Sequence, residues 1–140
     1  MIDKNKLSER ELTEEEEIYK ENILDYYKNP RNKKELKTKT KAHDKNTLCG
    51  DEITIYLKLE KNKIKDATFT GNGCAISQAS ASMLTEKLKG LTIKQAKAIS
   101  KEDILKMLGI PLSFMRIKCA LLPLKVLNKT LEVPKWKNLK

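Results

Sequence analysis

The clearest pattern in this chain is a strict alternation of apolar and polar residues at positions 53–60. Its apolar members are Ile53, Ile55, Leu57 and Leu59. Alternation with a period of two is typical of a strand that buries one face. Lys61-Asn62 follows as a tight turn, and residues 63–70 form a second candidate strand. The pattern therefore predicts an antiparallel hairpin.

Helical signals lie on both sides of this hairpin. Thr13 and Glu16 have the spacing of a capping box, which predicts a helix that starts there and ends at Asn29-Pro30. After the hairpin, residues 74–89 are rich in alanine and serine and precede Gly90. A helix with such small side chains can lie close against a sheet, and glycine is a common helix terminator.

Three further helices are predicted in the C-terminal third. Thr92 opens a short one, and Ser100 precedes another that stops at Gly109. The last helix runs to Glu132. Because proline is tolerated only in the first helical turn, Pro123 predicts that the regular part of this helix begins after about residue 121.

These elements predict one α+β domain: a small antiparallel β-sheet with several helices packed on one side. Residues 1–12 are expected to be a polar N-terminal extension, and residues 13–140 a single domain. Residues 31–48 are polar and are predicted to be extended only in part. Neither a membrane-spanning segment nor a signal peptide is apparent, so we expect an intracellular, cytoplasmic protein that does not bind membranes.

The net charge of +10 raises the question of nucleic acids. Of the 29 basic residues, only Arg10, Arg31 and Arg116 are arginines, and aromatic residues are sparse. Base recognition favours arginine, and binding of single strands uses stacked aromatic rings. We therefore expect no nucleic-acid partner. The basic run at residues 28–45 could instead dock an acidic partner.

The three cysteines are the candidate functional residues. Cys49 ends a polar loop, Cys74 begins a helix, and Cys119 is expected just before, or within, the first turn of the last helix. A helix start favours thiolate, the form that binds metals and attacks sulfur. Asp51 would emerge beside Cys49 if the backbone is extended there. Three thiolates and a carboxylate suit zinc or a cluster, but the spacing alone leaves buried structural thiols as an alternative.

The residues around the cysteines narrow this choice. The segments that matter are Tyr-Tyr-Lys-Asn-Pro-Arg-Asn at 26–32, Cys-Gly-Asp at 49–51, Gly-Asn-Gly-Cys-Ala-Ile-Ser at 71–77 and Arg-Ile-Lys-Cys-Ala at 116–120. Together they resemble, in order, the motifs of the U-type iron–sulfur cluster assembly scaffold family, which includes IscU, SufU and the N-terminal part of NifU. The resemblance covers about residues 18–132 and implies the fold of that family.

The resemblance also implies roles for the site residues. Cys119 would be the catalytic sulfur acceptor, which takes sulfur from a cysteine desulfurase. The implied ligands of a transient [2Fe-2S] cluster, iron or zinc are Cys49, Asp51, Cys74 and Cys119. Lys118 and Arg116 would assist by pairing with Asp51 or with an anionic persulfide; each could equally be a solvated surface charge.

Two functions follow from the resemblance. The first is a scaffold that assembles a [2Fe-2S] cluster and transfers it to apo-proteins or cluster carriers, acting as a monomer or weak dimer and not as an enzyme. The alternative is a zinc-dependent sulfurtransferase that accepts persulfide sulfur without building a cluster. Lys118, in place of the histidine of IscU-type members, resembles SufU. The 44 residues between Cys74 and Cys119 lack the insertion usual in SufU.

Overall fold

The structure is a computed structural model that describes residues 11–132. This part of the chain forms, in order, α1 (Glu14–Lys28), β1 (Thr40–Asn46), β2 (Asp51–Glu60), β3 (Lys63–Asn72), α2 (Ala75–Leu88), α3 (Ile93–Lys97), α4 (Lys101–Leu108) and α5 (Phe114–Leu131). Residues 1–10 of the predicted N-terminal extension and residues 133–140 of the predicted domain lie outside the described residues. None of the described helices is long and apolar enough to span a membrane.

The sheet has three antiparallel strands in the order β1-β2-β3. The predicted hairpin of β2 and β3 is confirmed, and its two turn residues, Lys61 and Asn62, have positive φ values of 50° and 65°. Consecutive residues of positive φ form the turn that matches the twist of paired strands. The third strand, β1, occupies part of the region predicted to be partly extended.

The core lies between one face of the sheet and the helices. Ile53, Ile55 and Leu57 of β2 are fully buried, as is Phe69, which pairs with Ile55 across the sheet. Helices α2 and α5 contact each other and cover this face, α2 over β3 and α5 over β1 and β2. The predicted α+β fold, with helices on one side of a small antiparallel sheet, is therefore confirmed.

The segment at residues 26–32 fastens α1 to α2. The guanidinium carbon of Arg31 lies 4.0 Å from the centre of the Tyr26 ring, and the main-chain N–H of Arg31 donates to Ser82 Oγ at 2.7 Å. The hydroxyl of Tyr26 donates to Glu86 at 2.7 Å. These contacts place α1 against α2, the helix whose first residues follow Cys74.

The start of α5 differs from the prediction. The helix begins at Phe114, with Ser113 as its N-cap, and Pro123 lies inside it. Pro123 has no N–H to donate to the carbonyl of Cys119, four residues earlier, a defect that costs about 3 kcal/mol in an ordinary helix. Burial of apolar side chains on the same helix offsets this cost: Leu122, Leu124, Val126 and Leu127 are 5% exposed or less. The sequence rule about proline was therefore overridden by tertiary packing.

Gly109 lies directly against a residue of another helix, so its replacement should lower stability. It ends α4 with a φ of 72°, and a Cβ built on it would lie 2.3 Å from the ring of Tyr19 on α1. We expect Gly109→Ala to lower the free energy of unfolding by about 2–3 kcal/mol, from backbone strain and the clash together. Thermal or urea unfolding measures this change.

Gly90→Ala is the matched control for Gly109→Ala. Gly90 also has a positive φ, 88°, but a Cβ at this position would have nothing within 4 Å. Its replacement should cost only the backbone strain, about 1 kcal/mol. If the two variants lost the same free energy of unfolding, the Tyr19 ring would have moved away from the new Cβ at position 109 without cost.

Candidate metal centre

Cys49 lies in the turn at residues 47–50, which joins β1 to β2. The main-chain carbonyl of Asn46, the last residue of β1, accepts hydrogen bonds from the N–H groups of Cys49 at 3.3 Å and Gly50 at 2.8 Å. Gly50 has a φ of 73°, so the backbone between Cys49 and Asp51 is not extended. The extended backbone that was expected to place Asp51 beside Cys49 is therefore wrong. The turn nevertheless brings the two side chains together.

Asp51 is the first residue of β2 and is fully buried. Its Oδ1 atom accepts a hydrogen bond from the main-chain N–H of Cys74 at 2.8 Å. Its Oδ2 atom lies 3.9 Å from Cys74 Sγ. Because a buried carboxylate needs polar partners, this contact orients Asp51 and ties the start of β2 to the start of α2.

Cys74 is the N-cap residue of α2, so its predicted position at a helix start is confirmed. Ser77, one turn into the helix, donates its hydroxyl to the Cys74 carbonyl at 3.1 Å and lies 3.9 Å from Cys74 Sγ. Ser77 was not among the predicted site residues. The signal was present, since a serine three residues after an N-cap lies over the first turn.

Gly73 makes room for this arrangement. A Cβ at Gly73 would lie 2.3 Å from Asp51 Oδ1 and 2.7 Å from Ser77 Oγ, both much closer than van der Waals contact. Only a residue without a side chain therefore fits between the carboxylate of Asp51 and the helix that Cys74 begins.

Cys119 is in the second turn of α5 and is fully buried, so the predicted position at or before the first turn is wrong. Burial raises the pKa of the Cys119 thiol well above its usual range, and the Asp51 carboxylate and the Cys49 thiol raise it further. A raised pKa disfavours the thiolate form of Cys119, and the helix start that was expected to favour thiolate lies more than a turn away.

Three of the four predicted ligands converge, and the fourth lies beside one of them. One ligand atom from each of Cys49, Asp51 and Cys119 lies within 4.8 Å of the other two, and Cys74 joins this group through Asp51. Donors of a tetrahedral site with Zn–S bonds of about 2.3 Å lie roughly 3.8 Å apart, so Cys49, Asp51 and Cys119 need only a small contraction around an ion. Three thiols and one carboxylate are a donor set that fits zinc, and one that fits a cluster.

Lys118 and Arg116 contact other groups. The ammonium of Lys118 lies 4.8 Å from the centre of the Phe114 ring, one turn back on α5, and the side chain is exposed. Arg116 is half-buried, and its main-chain N–H donates to Ser113 Oγ at 3.4 Å. Among residues 11–132, the structure gives neither of these cations an ion pair with Asp51, so their predicted assistance to the site stays a prediction.

Comparison with known protein families assigns this chain to one of them. The sequence model of the NifU-like N-terminal domain matches residues 18–139, which include all four candidate ligands. The chain belongs to the NifU-like N-terminal domain family. The predicted resemblance to U-type scaffolds is therefore confirmed.

Two curated relatives in this family carry different names. The chain is 39% identical over 129 residues to the zinc-dependent sulfurtransferase SufU of Bacillus subtilis, covering 80% of this chain and 88% of that protein. It is 35% identical over 132 residues to the iron–sulfur cluster assembly scaffold protein IscU of Thermotoga maritima, covering 82% of this chain and 93% of that protein.

Solved structures agree with the family assignment. A crystal structure described only as a hypothetical protein superposes with a TM-score of 0.73 at 30% identity, over 83% of this chain and 98% of its own. A proposed iron–sulfur cluster assembly scaffold of the SUF system from Fervidobacterium islandicum AW-1 superposes with a TM-score of 0.65 at 34% identity, with the same coverage. The fold of the family and the fold of this chain are the same.

Proposed function

We propose that this protein is an iron–sulfur cluster assembly scaffold that accepts sulfur from a cysteine desulfurase. The observation that carries the proposal is the convergence of Cys49, Asp51 and Cys119 within 4.8 Å, with Cys74 against Asp51, in a member of this family. A scaffold must release what it builds, and a site with one carboxylate among thiolates holds a cluster less firmly than four thiolates would. The cytoplasm, where thiols stay reduced, is the compartment that suits such a site.

The proposed sulfur transfer is an exchange at a persulfide. The Cys119 thiol loses its proton, and the thiolate attacks the terminal sulfur of a desulfurase cysteine persulfide. One S–S bond forms on Cys119 as the S–S bond of the donor breaks, and the donor cysteine leaves as a thiolate that takes up a proton. No electrons are gained or lost in this step.

Cluster formation needs electrons as well as sulfur. Each of two sulfane sulfurs takes two electrons to become sulfide. Two ferrous ions supply half of these electrons as they become ferric, and a reduced electron carrier or a dithiol supplies the rest. Cys49, Asp51, Cys74 and Cys119 would hold the product until an apo-protein or a cluster carrier receives it.

The alternative function is a zinc-dependent sulfurtransferase, and the 39% identity to a protein of that name favours it. The same four residues would hold the ion, and Lys118 stands where IscU-type members have a histidine. Zinc, when bound, supplies positive charge that favours thiolate over thiol at its ligands. Such charge would offset the burial that raises the pKa of Cys119 in the metal-free protein.

One experiment separates the two functions. Anaerobically purified protein is mixed with a cysteine desulfurase, cysteine, ferrous iron and a dithiol, and the visible spectrum is followed with time. We expect the charge-transfer bands of a [2Fe-2S] cluster to grow, with near two irons per chain. If no cluster forms while zinc stays bound and desulfurase turnover rises, the protein is a sulfurtransferase and our proposal is wrong.

A further inference from the structure

The thiols of Cys49 and Cys119 lie close enough to react with each other. Their Sγ atoms belong to the group of ligand atoms, completed by Asp51, that all lie within 4.8 Å of one another. A disulfide has an S–S bond of about 2.05 Å, so the two sulfurs need to approach by less than about 3 Å to be joined. Both cysteines are free, so the pair is available for sulfur chemistry before a metal is bound.

Cys49 is the member of this pair that can move. It lies in the turn at residues 47–50, outside both strands, and the hydrogen bond from its main-chain N–H to the Asn46 carbonyl is 3.3 Å long. Leu48, its neighbour in the turn, is 66% exposed, so little packing holds this segment in place. Cys119, by contrast, is fully buried in α5. A shift of the turn and rotation of the Cys49 side chain therefore close the gap while α5 stays in place.

Cys74 is held in a different way. As the N-cap of α2, it is fixed by the hydrogen bond from its main-chain N–H to Asp51 Oδ1 at 2.8 Å. Its Sγ atom lies 3.9 Å from Asp51 Oδ2 and 3.9 Å from Ser77 Oγ, and Cys74 is not a member of the group formed by Cys49, Asp51 and Cys119. Within residues 11–132, Cys49 is therefore the cysteine placed to react with sulfur on Cys119.

The burial of Cys119 makes a neighbouring thiol more effective than a dissolved one. An external reductant has to enter a closed site to reach sulfur on Cys119, whereas Cys49 is already there. Well-oriented groups within one molecule react as though present at about 10⁵ M or more, far above the concentration of any dissolved thiol. Cys49 itself is half-buried, so a disulfide that includes it stays within reach of a reductant in solution.

We propose that Cys49 releases the sulfur bound to Cys119 as sulfide. The proposal rests on the proposed sulfur-accepting function, which places a persulfide on Cys119. The Cys49 sulfur attacks Cys119 Sγ, an S–S bond forms between the two cysteines, and the S–S bond of the persulfide breaks. The outer sulfur gains two electrons and leaves as hydrogen sulfide with the proton that Cys49 loses. The two cysteine sulfurs lose these two electrons and become a disulfide.

A dithiol reductant restores the pair. It attacks the accessible Cys49 sulfur, frees both thiols and is itself oxidised to a disulfide. The pair thus carries two electrons from an accessible cysteine to a buried sulfur. Two electrons are the half that ferrous iron does not supply when one cluster is built, so one release per cluster completes the balance. Both cysteines are thiols again before they serve as ligands.

The test follows sulfur on the full chain after metal has been removed under anaerobic conditions. Cys119 is loaded from a cysteine desulfurase with cysteine in one series, and from inorganic polysulfide in another, and the donor is then removed. Wild type should lose the added sulfur as sulfide and gain a Cys49–Cys119 disulfide, which peptide mapping identifies. Cys49→Ser should keep the persulfide at least about a hundredfold longer. Cys74→Ser, which also removes one thiol of the site, should release sulfide like wild type.

The outcomes separate this inference from the proposed function. If the persulfide lasted equally long in wild type and Cys49→Ser, the inference would be wrong while the sulfur-accepting function stands. A release rate that rose in proportion to protein concentration would also overturn it, because a second chain would then supply the attacking thiol. If polysulfide but not the desulfurase loaded Cys119, release with disulfide formation would uphold the inference and the proposed function would fall. If neither donor loaded Cys119, both would fall.

Discussion

Replacement of Cys119 by serine is expected to lower sulfur uptake from the desulfurase by at least about a thousandfold, the scale on which loss of a reacting nucleophile is felt. Serine has nearly the size of cysteine, so the fully buried position in α5 should be filled without loss of the fold. A hydroxyl is far less acidic than a thiol and forms no stable bond to sulfane sulfur. Mass spectrometry of the intact protein, which detects one added sulfur atom, measures the uptake.

Cys49→Ser and Cys74→Ser are the matched controls, because each removes one thiol from the same site. Both cysteines are half-buried and therefore more accessible than Cys119. In these two variants, sulfur should still appear on Cys119, although zinc and iron binding weaken. If Cys119→Ser instead retained the wild-type level of added sulfur on Cys49 or Cys74, accessibility would outweigh position and the role assigned to Cys119 would be wrong.

Because Cys119 is buried, part of the protein must move before a sulfur donor can reach its thiol. Its thiol sulfur lies within 4.8 Å of ligand atoms of Cys49 and Asp51, and the residue is fully buried. A sulfur donor therefore reaches this thiol only after the protein opens around it, and not by contact with a thiol exposed at rest.

Local signals in the sequence were sufficient for most of the fold. The alternation at residues 53–60 predicted β2 because Ile53, Ile55 and Leu57 are fully buried on one face, whereas the other face is exposed apart from Thr54 and Tyr56. The capping box predicted at Thr13 is present, and the helices expected after Thr92 and Ser100 begin there, since helix caps depend on residues only three positions apart. Features set by contacts within a few residues could therefore be predicted.

Features set by distant contacts could not. The less exposed face of β1 carries Thr40, Ala42, Asp44 and Asn46, which are small or polar, and the strand exists because it pairs with β2. The start of α5 was placed too late because the rule for Pro123 is local, whereas the burial that overrides it is tertiary. That error moved Cys119 from the interior of a helix to its start.

The candidate site, too, could be predicted only where local sequence carries the information. The residue types and their order indicated a metal centre, and the family they resemble supplied its ligands. The contact of Asp51 with the N–H of Cys74 depends on the register of β2 with β3 and on the position of α2 against the sheet. No local sequence pattern encodes either of these. The need for glycine at position 73 appears only when that contact is known.

Replacement of Gly73 by alanine is expected to weaken zinc binding by about 10- to 100-fold, the usual effect of disturbing a group that orients a ligand. The new Cβ would lie 2.3 Å from Asp51 Oδ1, and this carboxylate cannot easily give way because it is fully buried and bound to the N–H of Cys74. Competition with a chromophoric chelator under anaerobic conditions measures the affinity. Wild-type affinity in Gly73→Ala would show that Asp51 is free to adapt.

A double-mutant cycle identifies Asp51 as the cause of that loss. Asp51→Ala removes the carboxylate with which the Cβ at position 73 collides, so adding Gly73→Ala to it should cost little further affinity. The remaining contact, with Ser77 Oγ at 2.7 Å, involves a hydroxyl that can rotate away. If the two losses were instead additive, the alanine would act on the start of α2 independently of the carboxylate. In that case Gly73 would position Cys74 and not Asp51.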